Sequence, residues 1–162
     1  MGAKMAKFTK AQVRQIYGDA VCYELEGMDW LSQFDEEEIT ECFNGIGPEF
    51  IGAKAREWIS EFLALFLPCA MIHDMRNEYS DGTRQSFCYA NEEFRRNCIK
   101  VVEANYGWFS RKRYRGYIVA EILYCFVSAD CFGWQAWLQA KAKHEAKLGI
   151  SGNGAGETKE VQ

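Results

Sequence analysis

Three short stretches carry residues whose types and spacing can do chemistry together. In Cys69-Ala70-Met71-Ile72-His73-Asp74 an imidazole and a carboxylate stand side by side. Imidazole exchanges protons near neutral pH, which makes His73 a candidate general base. Asp74 offers charged oxygen, the donor that a hard divalent cation takes. Upstream, Phe43-Asn44-Gly45-Ile46-Gly47-Pro48 crowds two glycines and a proline together, which excludes regular structure and marks a shaped loop. Glycine tolerates the dihedrals that turn backbone carbonyls inward, so this loop and Asp74 can together supply oxygen ligands to calcium. Downstream, Asn91-Glu92-Glu93-Phe94 starts another helix with an amide. Successive helical residues point about 100° apart, so Asp74 can face the loop while His73 faces that next helix.

Each stretch also has a plainer reading. His73 can be a buried histidine satisfied by a neighbour, with Asp74 a surface carboxylate. Gly45 and Gly47 can be an ordinary helix stop and turn. His144, among alanines and lysines near the end of a helix, reads as exposed. The seven cysteines lack paired C-x-x-C spacing, so no transition-metal site is expected.

The elements that must position these groups read as helices. Thr9 caps a short one that runs to about Tyr17 and stops at Gly18. Residues 20–30 show no clean period and read as irregular or as one helical turn. Asp35 with Glu38 is a capping box opening an acidic helix that ends at Asn44-Gly45. Trp58, Ile59, Phe62, Leu63 and Phe66 recur at helical spacing, and Pro68 both ends that helix and opens the next, Cys69 to Tyr79. Ser80 to Thr83 is a turn, Ser86 to Tyr89 reads as extended, and a third helix covers Asn91 to Asn105 until Gly107 stops it. Ser110 caps a last helix that continues to about Leu148, with a break available at Gly133. The expected class is therefore all-α: two antiparallel central helices carrying the His-Asp dyad, the calcium loop ahead of them, and a long C-terminal helix alongside. One domain is expected over residues 1–150, with a flexible Gly-rich tail over 151–162.

Composition narrows the function classes. At 162 residues and 48% hydrophobic, the chain can fold unaided as one domain. A net charge of −4 argues against a nucleic-acid partner, because duplex binding depends on neutralising phosphates. Charge is segregated, with Asp35, Glu36, Glu37, Glu38 and Glu41 in one run and Arg111, Lys112, Arg113 and Arg115 in another; each reads first as a solvated face. Trp108 and Phe109 beside the basic run suggest either a lipid-interface patch or a helix–helix corner with a basic rim. Tyr117 to Leu138 is apolar, but Glu121, Ser128, Asp130 and Gln135 interrupt it, so no transmembrane span is expected. The basic Met1–Lys7 is followed by no apolar stretch, so no signal peptide is read. With an odd cysteine count this points to a reducing compartment, cytoplasmic or phage-associated.

The ordered set N-G-x-G-P, C-x-x-x-H-D and N-x-x-F, spanning Cys42 to Cys98, resembles the phospholipase A₂ superfamily, in particular its bacterial and phage-type members without the full disulfide set. The resemblance implies a calcium-dependent phospholipid acyl-ester hydrolase that works on a membrane surface or micelle. It implies calcium held by the carbonyls of Phe43, Gly45 and Gly47 and the carboxylate of Asp74, His73 as general base, and the Gly45 N–H as oxyanion donor. Where the family has an Asp that steadies the histidine, this chain has Asn91. An amide can hold the imidazole tautomer but cannot neutralise an imidazolium. The resemblance thus implies a slow hydrolase or an inactive one, with Glu92 or Glu93 able to substitute only in a shifted register. The alternative is a non-catalytic phage or bacterial accessory protein that keeps the fold as a binding module. With His73 opposite Asn91, Cys69 and Cys98 should lie on one side of the helix contact, their Cα atoms about 4.4 to 6.8 Å apart.

Overall fold

The computed structural model describes residues 8–43 and 61–147. All regular structure among the described residues is helical, so the class is all-α. The helices are α1 (Lys10–Cys22), α2 (Met28–Leu31), α3 (Glu36–Cys42), α4 (Leu67–Glu78), α5 (Arg84–Asn105) and α6 (Arg111–Ser128). A π-helical turn, Asp130–Trp134, then leads into α7 (Gln135–Lys147). Residues 61–65 are also helical, just ahead of α4.

Local chemistry accounts for the starts. Thr9 and Gln12 exchange side-chain and backbone hydrogen bonds at the head of α1, and Asp35 and Glu38 do the same at α3. Pro68 sits in the first turn of α4, where its missing N–H costs nothing. Ser110 accepts from the Lys112 N–H at the head of α6.

Three expectations are corrected, and a fourth, the break available at Gly133, is located. α1 runs through Gly18 to Cys22, because Val13, Ile16 and Ala20 bury one continuous face, and that burial outweighs the roughly 1 kcal/mol a helical glycine costs. α5 starts at Arg84, so Ser86 to Tyr89 is helical and not extended. Asp81 sets this start by accepting from the Thr83 N–H and the Ser86 hydroxyl, and Phe87, Ala90 and Phe94 then bury at helical spacing. The long C-terminal helix is two helices bent by 49°. The chain leaves α6 through an extended Ala129, ahead of Gly133, and a Cβ at Gly133 would fall 1.6 Å from the Val127 carbonyl oxygen. That glycine permits the close return of the π-turn onto the end of α6. His144 is half-buried against the Tyr79 ring, with centroids 5.1 Å apart, instead of exposed.

α4 is the central element, packed by α1, α2, α3, α5 and α7. Its Met71, Ile72 and Met75 are fully buried with Phe62 and Phe66. Along the α4–α5 contact Cys69 meets Cys98, His73 meets Phe94 and Arg76 meets Tyr89, so the two helices run antiparallel. All seven cysteines are unbridged. The Cys98 thiol is hydrogen-bonded with Cys69, and burial pushes it well above the usual thiol range. A smaller cluster of Phe87, Ala90, Trp137 and Trp134 ties the C-terminal segment to α5. Among the described residues no single helix is long and apolar enough to cross a membrane.

Candidate functional site

His73 lies in the middle of α4 and Asn91 in the second turn of α5. The antiparallel contact brings them together, with His73 Nε2 2.9 Å from Asn91 Oδ1. With the amide oxygen accepting, Nε2 carries the proton and Nδ1 keeps its lone pair, so the pair fixes one tautomer. Phe94, one turn along α5, braces the imidazole at a centroid separation of 5.1 Å. The N-x-x-F spacing therefore places a hydrogen-bond partner and a packing ring on the same helix face. Burial holds the His73 pKa below the ordinary imidazole value, against the opposing pull of the Asn91 hydrogen bond and the nearby Glu93 carboxylate. The ring is neutral at neutral pH, the form that accepts a proton.

Asn91 is 2% exposed, and its Nδ2 has no hydrogen-bond partner among the described residues. A buried unsatisfied donor costs about 1–3 kcal/mol. A carboxylate at this position would carry no such donor.

Glu93 does not take over the role left open by Asn91. Its carboxylate is 1% exposed and bound in a fork by Arg76, Nε to Oε1 at 3.1 Å and Nη2 to Oε2 at 2.9 Å. The Arg76 guanidinium lies over the Trp30 ring at 4.0 Å. Gly27 closes over the pair: its φ is +88°, and a Cβ there would lie 2.9 Å from Ile72 Cγ2 and 3.0 Å from Glu93 Oε2. Asn97 fixes the preceding residue by bonding both the N–H and the carbonyl of Glu26. No short motif marks this assembly in the sequence. Its signal was present in Ala90, Glu93, Asn97 and Val101, which recur at buried-face spacing with an acid among them.

His73 also lines a cavity of about 190 Å³ whose walls include Asn77, Phe87, Phe126, Phe132 and Trp137. Trp137 is 3% exposed, and its Nε1–H has no partner among the described residues. The cavity is mainly apolar, with four aromatic rings and one imidazole on its wall. No spacing in the sequence pointed to Phe132 or Trp137, since both reach the site through the bend after α6.

Of the expected calcium ligands, Gly45 and Gly47 lie outside the described residues. Phe43 caps the end of α3, buried and stacked on Phe8 at 4.5 Å. Asp74 follows His73 on α4, and α3 packs against α4. Among the described residues no group of three or more His, Cys, Asp or Glu is placed to hold a metal ion. A site of backbone carbonyls and one carboxylate contains no such group, and its all-oxygen donor set is of the type calcium takes.

Comparison with protein-family models, with curated proteins and with solved structures finds no match for this chain. The functional reading therefore rests on the site itself: a neutral imidazole held in one tautomer, braced by a ring, on the wall of an apolar cavity.

Proposed function

We propose that the chain is a calcium-dependent phospholipid acyl-ester hydrolase whose rate is limited by Asn91. The observation that carries this reading is the His73–Asn91 hydrogen bond at the edge of the aromatic cavity. His73 Nδ1 takes a proton from a water that attacks the ester carbonyl, and returns it to the departing alkoxide. Nε2–H stays on Asn91 Oδ1 throughout, which keeps the ring from turning. Phe87, Phe126 and Trp137 receive the acyl chain, so that the ester meets the imidazole in a water-poor setting. Phe43, Gly45, Gly47 and Asp74 would hold calcium, which when bound supplies positive charge for the ester oxygen. The Gly45 N–H would add a second donor. The imidazolium formed during the reaction is hydrogen-bonded only by a neutral amide, and Glu93, which acts on it through space, is bound by Arg76. Slow turnover follows from that shortage of negative charge.

Fatty-acid release from mixed micelles, with and without calcium, tests the proposal. Wild type should release fatty acid slowly and only with calcium, and His73→Ala should release none. Equal release by the two proteins would end the reading. The second reading, a non-catalytic binding module, draws on the same neutral partner and on the unsatisfied Asn91 Nδ2. It predicts binding to phospholipid without release by wild type or by Asn91→Asp.

A further inference from the structure

We propose that the segment from Ala129 to Lys147 is a lid on the His73 cavity, which swings out about Ala129 to admit an apolar ligand. Such a lid gates the site already described; only the kind of ligand that enters rests on the lipid-ester reading.

The segment supplies one wall of the cavity through Phe132, Gly133, Ala136 and Trp137, while His73 stands on α4. It is lightly held. Between residues 130 and 146 only Trp137 is buried, whereas α4 and α5 bury residues along most of their length. Trp137 packs with Phe87, Ala90 and Trp134 in a cluster separate from the main core. The polar ties lie at the surface: Arg84 pairs with Asp130, the two side chains 52% and 72% exposed, and Lys143 pairs with Glu78 at 3.2 Å. Exposed pairs hold weakly and are screened by salt. An element with few buried apolar contacts opens at lower free energy than the core it lies on.

The junction with α6 is loosely bonded. Ala129 is extended between α6 and the π-helical turn. Its carbonyl accepts from the Phe132 N–H at 3.2 Å and the Trp134 N–H at 3.3 Å, and its own N–H donates to the Phe126 carbonyl at 3.3 Å. These bonds lie at the long end of the ordinary range. Closure also shuts away the Trp137 Nε1–H without a partner among the described residues. Opening gives that donor to water, so it works against the closed state. The apolar contacts work the other way: Trp137 meets Phe87 at a centroid separation of 5.8 Å, and Phe132 stacks on Phe126 at 4.8 Å. An acyl chain that enters covers Phe87 and Phe126 as the lid leaves them, so an apolar ligand favours the open state and a polar one does not.

The test uses the full chain in chelator, so that hydrolysis plays no part, with dodecylphosphocholine below its micelle concentration as the ligand. Amides of α7 should exchange hydrogen at least about tenfold faster, relative to their intrinsic rates, than those of α4 and α5. Asp130→Asn should speed that exchange about threefold, the scale of one exposed ion pair, and leave α4 and α5 as they are. Arg84→Met, which also removes the cation over the Phe87 and Trp134 rings, should speed it more. In stopped-flow tryptophan fluorescence the binding rate should level off with rising ligand, at the opening rate of the lid, and Arg84→Met should raise that plateau. Thermal melts confirm that each variant folds, and Asp130→Asn, which keeps the shape of the pair, decides the matter where Arg84→Met does not fold. The proposal is overturned if α7 exchanges only together with α4 and α5, if the ligand does not bind or its binding rate rises linearly throughout, or if the folded variants exchange and bind as wild type does. Gated binding by a chain that releases no fatty acid from ester lipids, as wild type or as Asn91→Asp, would remove the hydrolase and leave the lid standing; hydrolysis without a gate would do the reverse.

Discussion

Two polar pairs cross the α4–α5 interface within one helical turn of each other, and they differ in how completely they are satisfied. Arg76–Glu93 is a two-point ion pair lying under Trp30, with Gly27 closed over it. His73–Asn91 is a single bond between neutral groups, with the second amide donor unpartnered and a cavity on its far side. Full satisfaction suits a pair that fixes the register of two helices. The incomplete pair keeps one basic nitrogen for other use. The Glu93 carboxylate acts on His73 only through space, because its oxygens are bound by Arg76.

The sharpest way to break the contrast is to remove Arg76. Arg76→Met leaves the Glu93 carboxylate buried without its counter-charge, a change that costs about 3–5 kcal/mol. Urea unfolding should show this loss, and a loss below about 1 kcal/mol would mean that the pair is not what holds the helices in register. Gly27→Ala comes next, because its left-handed backbone alone costs about 1–2 kcal/mol with a side chain, before contact with Ile72 and Glu93 is counted. A melting temperature equal to wild type would show that the loop moves freely away from the ion pair.

A smaller effect concerns pH. Burial depresses the His73 pKa in the folded state, so between the unfolded value near 6.5 and that lower folded value the unfolded chain binds more protons. Stability is therefore fully present above about pH 6.5 and falls as the pH drops through this window. Of the two histidines in the chain, His73 should account for this slope. Denaturation of wild type and His73→Gln from pH 7 to pH 5 should show a shallower fall in the variant, and parallel curves would contradict the assignment.

How much of this was legible in sequence follows from how each contact is made. The C-x-x-x-H-D and N-x-x-F spacings fall on single helices, whose pitch carries a short motif directly into space. His73 therefore meets Asn91, and Cys69 meets Cys98, without reference to the rest of the chain. The cavity wall was not legible in that way. Phe132 and Trp137 reach His73 because the chain bends at Ala129, ahead of the break available at Gly133, and because Gly133 tolerates close approach to the Val127 carbonyl. The Ser86–Tyr89 segment is helical for a related reason: Asp81 and Thr83 start α5 two turns ahead of Asn91, and the cap outranks the strand propensity of Phe87 and Tyr89. The expected loop residues Gly45 and Gly47 lie outside the described residues, so Asp74 and Phe43 alone represent the calcium proposal within them.

The central claim is that His73–Asn91 is a working base pair short of one negative charge. It is tested most directly by fatty-acid release from mixed micelles with calcium, comparing wild type, Asn91→Asp, and each with His73→Ala. Asn91→Asp replaces the neutral partner with a carboxylate and removes the unsatisfied donor. In a serine protease triad, the reverse change from Asp to Asn costs about 10⁴ in rate. The account predicts that Asn91→Asp releases fatty acid at least about tenfold faster, a barrier lowered by about 1.4 kcal/mol, and that His73→Ala abolishes release in both backgrounds. If Asn91→Asp folds, binds calcium and is no faster than wild type, the pair across α4 and α5 is structural and the hydrolase reading is wrong.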